Sequence, residues 1–449
     1  MTAASPGAIL PRRAGDPGPH VDLLASWRSG GFLMEREGAG IVAGGELRRI
    51  EVPAGLGQAA RAASLADAAL ADLHVDGAVI AAALPFAGDT PAHLLVPERV
   101  RITSIAPREL DLAARDGRRA AGGGGGRGED VVSPSVPSRT AVPATAGAGA
   151  HPAPHLTSAR SGPMRWRAHP PLAAYAEAVA EAISRIRDGR LEKVVLARSL
   201  VASNPGIEVR ALLAELRRRD PGCHLFAAPA FASAEGGDFV GATPETLIRR
   251  EGDRVLSLPH AGTAARSPDP ARDRQAAEAL LRSAKNRHEH AAVVEAVADS
   301  LQPHCAQLRV DPEPHLAATA TVWHLVTAVR GRLRPSAPGA LSLAAALHPT
   351  PAVCGTPTAA AAELIAELEP GPRGLYAGLV GWVDSRGDGE WAVSLRCALV
   401  TRAEVRIHAG AGIVAESQPE LEVAETEVKF RTLIDALEAC PPAAGGAPA

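Results

Sequence analysis

From Pro170 onward, PPLAAYAEAVAEAISRIRDG places Leu172, Val179, Ile183 and Ile186 on one apolar stripe. Proline opens the segment and Gly189 closes it, so the pattern predicts a helix. KVVLARSLV follows as an apolar run and predicts a strand. TLIRR and RVLSLP flank EGD, a hairpin signal. PARDRQAAEALLRSAKNRHEHAAVVEAVADSL predicts one long amphipathic helix, and LEVAETEVKFRTLIDALEA a terminal one. LYAGLVGWVD, EWAVSLRCALV and EVRIHAGAGIV predict strands, as do AVIAAALPF and the alternating HLLVPERVRI nearer the N-terminus. Hairpin-linked strands with interspersed helices favour an α+β fold with antiparallel sheets over a βαβ array.

The periodicity is interrupted between about Ala114 and Gly162, where Gly, Pro, Ser and Ala dominate. Such a segment buries too little apolar surface to offset its ordering entropy, so a disordered linker is expected. The implied organisation is an N-terminal part of the fold at 1–113, the linker at 114–162, the catalytic region at 163–440 and a disordered tail at 441–449. The linker's glycine run does not predict a phosphate loop, because no strand leads in and no GK[ST] helix leads out. With 47 Lys+Arg against 50 Asp+Glu, the net charge of -3 gives no overall field for nucleic acid or an anionic membrane. The opening MTAASPGAILPRRAGDPG lacks a signal-peptide core, and GAVIAAALPF is too short to span a bilayer, so a soluble cytoplasmic protein is expected. Five scattered cysteines without a CxxC pair argue for reduced thiols.

Glu422 and Glu425 are three apart and share a face of the terminal helix, while Glu289 offers a third carboxylate from the other long helix. Carboxylate oxygens suit Mg²⁺, although on spacing alone each is as readily a solvated helix residue. His288 and His290 point to nearly opposite sides of a helix, which disfavours zinc. Lys193 opens a strand of apolar residues, where a buried amine can have a lowered pKa and act as a base, or simply reach solvent. Glu245 in GATPETL and Arg396 in VSLRCALV are either a raised acid and a carboxylate-binding arginine, or halves of ion pairs. Gly410 and Gly412 in HAGAGIV fit a close backbone approach to an anion. His348 and His260 are more often core histidines than catalysts.

KVVLAR, GATPETL, PHAGT, SAKNRHEH, LHPTPAVCGTP, ELEPGPRGLYAGLVGW, GDGEWAVSLRCA and HAGAGIVAESQPELEVAETEVK together resemble the chorismate-utilising enzyme family, related to anthranilate synthase component I. Within it they look like the branch that makes isochorismate. The resemblance covers nearly all of Pro170 to Leu437, and a weaker likeness reaches ALPF and LLVP at residues 83 to 97. It implies an α+β fold with large central antiparallel sheets packed together and helices outside. The implied reaction is a Mg²⁺-dependent interconversion of chorismate and isochorismate, in which water adds at ring carbon 2 as the hydroxyl leaves ring carbon 4. By resemblance, Lys193 is the base that activates water and Glu245 the acid across the ring. Glu289 and Glu425 match the magnesium ligands, with Glu422 beside them. Arg396, Tyr376 and the Gly410 backbone match the group holding the enolpyruvyl carboxylate, Gly262 and Thr263 line the ring, and His348 joins the substrate-binding set.

Two positions depart from the family: His260 replaces the usual aliphatic residue of PHAGT, and Asn286 stands where Asp is frequent. Ammonia-using relatives typically carry glutamine at the position of Lys193, and some a nucleophilic lysine at that of Ala261, so no glutamine amidotransferase subunit is expected. The alternatives are a salicylate synthase, which goes on to eliminate pyruvate from isochorismate, and an inactive chorismate-binding scaffold. The resemblance leaves open whether the product feeds menaquinone or a siderophore.

Overall fold

The computed structural model describes residues 22–103, 164–204, 206–231 and 236–440. The expected linker at 114–162 and tail at 441–449 lie outside the described residues. The parts on either side of the linker belong to one compact unit.

Two large antiparallel sheets form the centre, of ten and nine strands, with a smaller sheet of three strands beside them. N-terminal strands complete both large sheets: Phe32–Arg36, Ala39–Gly44 and Arg99–Thr103 in the first, Arg48–Val52, Val79–Leu84 and Ala92–Val96 in the second. Alternation along the strands sorts side chains between two cores. Phe32, Met34, Phe226 and Phe239 face inward and join Ile80, Leu94, Val380 and Trp391 of the second sheet. Leu33, Leu225 and Val240, one residue out of phase, meet Leu212, Leu213 and Leu216 of the helix Val209–Arg219 and Phe430, Leu433 and Leu437 of the helix Pro419–Ala439. Four cysteines are buried, the fifth is partly buried, and all are free thiols. Among the described residues, no helix is long and apolar enough to cross a membrane.

Three expectations are corrected. The helix Leu172–Arg187 forms, but Leu172 is 47% exposed and Tyr175 takes the buried place, its hydroxyl donating to the Leu196 carbonyl. The long helix is two helices, Pro270–Arg282 and Ala284–Leu301, with extended Ser283 closing the first and capping the second through a bond from the Asn286 N–H. EWAVSLRCALV is likewise two strands, Gly389–Val393 in the nine-stranded sheet and Cys397–Val400 in the ten-stranded one. Apolar alternation marks each half correctly and cannot show that the chain changes sheets between them.

Candidate active site

Four such changes of sheet gather at one place. Pro244 and Glu245 link Asp238–Thr243 of the ten-stranded sheet to Thr246–Glu251 of the nine-stranded one, and Ser394 to Arg396 make the return crossing. Leu258 and Pro259 lead from the nine-stranded sheet into His260–Ala265 of the small sheet, and Thr327 and Ala328 lead back out of it from Val322–Val326. The first two crossings are tied together: the Thr243 hydroxyl donates to the Val393 carbonyl at 2.6 Å, Val393 N–H to the Glu245 carbonyl at 3.2 Å, and Ala242 N–H to the Arg396 carbonyl at 3.2 Å. Arg396 has a φ of 49°, a left-handed backbone that costs on the order of 1–3 kcal/mol for a non-glycine residue. The bend aims its side chain at the seam instead of along a sheet face.

A cavity of about 150 Å³ opens at this seam. Lys193, Glu245, Gly262, Thr263, Glu289, Tyr376, Arg396, Gly410, Glu422 and Glu425 all line it. His348 does not. It follows the helix Ala340–Leu347, and its ring turns edge-on to Phe86 at 5.9 Å with Nε2 3.3 Å from the Phe86 carbonyl. Gly412, His260, His324, Lys285, Asn286 and Lys429 also line the cavity. His324, Lys285 and Lys429 were not singled out from sequence. The signal for Lys429 was present in its i,i+4 spacing from Glu425, which it meets at 2.7 Å while also donating to the Gly410 carbonyl at 2.7 Å.

Lys193 begins the strand Lys193–Ser203, and its side chain is 12% exposed. It passes over Gly412, where a Cβ would stand 2.9 Å from Lys193 Cε. Burial lowers the Lys193 pKa, and the Glu289 carboxylate at 3.8 Å opposes that shift without cancelling it. Glu245 is 1% exposed, and one of its oxygens has no hydrogen-bond partner. Burial pushes this carboxyl up to about 8, against a main-chain bond from His260 and the charges of Arg396 and Lys193. One wall therefore carries an amine that holds its proton less tightly than an exposed lysine, and another a carboxyl that stays protonated at neutral pH.

Glu422 and Glu425 stand in the first two turns of Pro419–Ala439, and Glu289 in the second turn of Ala284–Leu301. The Ser283 break begins this second helix, which sets the phase at which Lys285, Asn286 and Glu289 meet the cavity. Glu422 is raised by burial and by the neighbouring Glu425 charge, while Ser417 opposes the shift. Among the described residues, no three His, Cys, Asp or Glu side chains are grouped as a ready-made metal cage. Glu289, Glu422 and Glu425 offer carboxylate oxygens, which fits Mg²⁺, an ion that commonly uses one or two protein carboxylates together with water and substrate oxygens. Tyr376 stacks on His408 with centroids 5.1 Å apart, and a Cβ at Gly410 would stand 3.2 Å from its hydroxyl. The absence of a side chain at Gly410 thus lets the tyrosine reach the cavity beside Arg396.

The family model for chorismate binding enzymes matches residues 150–438. The chain belongs to the chorismate-binding enzyme family. Isochorismate synthase DhbC of Bacillus subtilis is 46% identical over 267 residues, 59% of this chain and 67% of that protein. A putative isochorismate synthase, MenF, of Mycobacterium tuberculosis is 50% identical over 256 residues, 56% of this chain and 68% of that protein. Among solved chorismate-binding enzymes, a putative 2,3-dihydroxybenzoate-specific isochorismate synthase, DhbC, from Bacillus anthracis superposes with a TM-score of 0.76 at 34% identity, covering 92% of this chain and 98% of that one. Menaquinone-specific MenF of Escherichia coli gives 0.66 at 27% identity, over 93% and 92%.

Proposed function

We propose that this enzyme interconverts chorismate and isochorismate, with Lys193 as base, Glu245 as acid and a divalent magnesium ion held at the carboxylates. The observation that carries the reading is the opposed pair of shifts on the walls of one cavity: Lys193 lowered and Glu245 raised to about 8. Addition of water with loss of a hydroxyl needs both. A neutral amine takes a proton from the attacking water, and a protonated acid supplies one to the departing hydroxyl. The names of the relatives described above support the formation of isochorismate.

In this reading the water oxygen bonds ring carbon 2 as the double bonds shift and the bond from ring carbon 4 to its hydroxyl breaks. The Lys193 amine becomes ammonium, Glu245 becomes carboxylate, and the expelled hydroxyl leaves as water. Arg396 and Tyr376 hold the enolpyruvyl carboxylate, and Gly262 and Thr263 border the ring. Glu289 and Glu425 would hold Mg²⁺, with Glu422 beside them, and the ion would supply positive charge at the ring carboxylate. Lys429 shares the charge of Glu425 and ties the helix Pro419–Ala439 to the strand carrying Gly410. With Lys193 in this role, no ammonia donor or amidotransferase subunit is needed.

Incubation of the purified protein with chorismate and Mg²⁺ should give isochorismate, without stoichiometric pyruvate. Lys193→Ala and Glu245→Gln should each lose on the order of 10²–10⁴ in kcat. Glu425→Gln should lose most activity while remaining folded, and excess chelator should abolish turnover. Salicylate formed together with pyruvate would overturn the isomerase reading, full activity in chelator would overturn the metal assignment, and an unchanged rate in Lys193→Ala would overturn the mechanism.

A further inference from the structure

The two histidines of the cavity wall differ in what their second ring nitrogen does. His324 places Nδ1 3.3 Å from the Gly262 carbonyl and Nε2 3.4 Å from an Arg396 amino group. Arginine can only donate, so His324 accepts at Nε2, carries its proton on Nδ1 and has both nitrogens engaged. His260 places Nδ1 2.8 Å from the Leu258 carbonyl, an acceptor, so its proton also sits on Nδ1. Its Nε2 is then a lone-pair acceptor, and among the described residues no protein donor meets it. Nor is that nitrogen sealed away, because it is absent from the buried atoms that lack a partner and the residue lines the cavity. Burial, chiefly, holds the ring neutral by pushing its pKa down to about 4.

The main-chain N–H of the same residue acts on the Glu245 carboxyl, opposing the upward push of burial on its pKa. One residue thus meets the acid through its backbone and offers an acceptor on the wall beside it. We propose that His260 Nε2 accepts a hydrogen bond from the ring carbon 4 hydroxyl and so turns a lone pair of that oxygen toward the Glu245 proton. This rests on the reading of the site given above. A hydroxyl has one hydrogen and two lone pairs. If its hydrogen faced Glu245, the acid proton would meet no lone pair. With the hydrogen held by His260, the Glu245 proton passes to the oxygen as the bond to carbon 4 breaks, and water leaves without a proton transfer to the imidazole. The aliphatic residue usual at this position cannot accept a hydrogen bond, so this is a refinement particular to this chain and not a requirement of the chemistry.

The test is equilibrium binding of two unreactive ring analogues of chorismate, one with and one without the ring carbon 4 hydroxyl, to wild type, His260→Leu and His260→Gln. Wild type should prefer the hydroxylated analogue about tenfold, the scale of one net hydrogen bond. His260→Leu should bind both about equally, and His260→Gln, whose amide oxygen accepts, should recover part of the preference. For chorismate turnover, His260→Leu should lower kcat/KM by roughly tenfold. A merely structural histidine would weaken both analogues together. An undiminished preference in His260→Leu, with wild type turning chorismate over, overturns the role of His260 alone. Wild type that neither binds the analogues nor converts chorismate overturns the underlying reading as well.

Discussion

Burial acts on Glu245 and Lys193 in opposite directions because it disfavours whichever form is charged, the carboxylate in one and the ammonium in the other. With Glu245 as acid and Lys193 as base, the kcat/KM profile should therefore fall on the alkaline side with an apparent pKa near 8, as Glu245 ionises, and on the acid side as Lys193 takes up its proton. Stability follows the same group. The folded pKa of about 8 lies above the ordinary 4.5, so the Glu245 contribution is fully present below about pH 4.5 and is lost as pH rises through 8. Glu245→Gln, which cannot ionise, should melt several degrees above wild type at about pH 8.5, with the difference shrinking toward pH 4.5; thermal melts across that range check the sign. Gly412 offers a second test. Its missing side chain leaves room for Lys193, and an added Cβ would lie 2.9 Å from Cε and 3.4 Å from Nζ. The flexible lysine would yield, so Gly412→Ala should shift Tm by no more than about 2 °C while kcat falls roughly 10–100-fold from a misplaced amine. Equal loss of stability and activity would show that the glycine serves packing instead.

The strand Lys193–Ser203 has an incomplete neighbour on its outer side. Gly355–Thr356 pairs with its first residues and Arg167–His169 with residues 199–201, leaving a gap between them. Arg373 and Glu369 fill it: Arg373 Nη2 donates to the Val195 carbonyl at 2.6 Å and Nη1 to that of Val353 at 2.8 Å, while Glu369 accepts from Ala197 N–H at 2.8 Å. The pair is itself bidentate and buried. Arg373→Ala should destabilise the fold by roughly 3–5 kcal/mol, measured by denaturant unfolding, because it strands a buried carboxylate. Replacing both residues by apolar ones should recover little, since the Val195 carbonyl and Ala197 N–H would still lack partners. Both residues stand in ELEPGPRG, but nothing in that string shows that its charged groups substitute for a missing strand. The Ser283 break was similarly hidden. Its flanks share one apolar period, and only the observed cap, in which the Ser283 hydroxyl accepts from the Asn286 N–H, separates the helices.

At the scale of the molecule, strands from both sides of the 114–162 segment interleave in both large sheets, so the catalytic region and the N-terminal strands share one core. Removal of residues 122–150, which hold few large apolar side chains, should change Tm by no more than about 2 °C and leave kcat nearly intact. A large fall in Tm would show that the segment packs. The sequence by itself determined what depends on near neighbours: the hairpins, the α+β class, the shared face of Glu422 and Glu425, and the ordered motifs that mark the family. Tertiary structure alone decided which strand belongs to which sheet, because alternation reads the same on either side of a crossing. It also decided that Lys193, Glu245, Glu289 and Glu425 share one cavity while His348 lies outside its wall. The shifts at Lys193 and Glu245 belong to that level too, since desolvation is imposed by segments far apart in the chain and has no signature in the residues on either side of the titrating group.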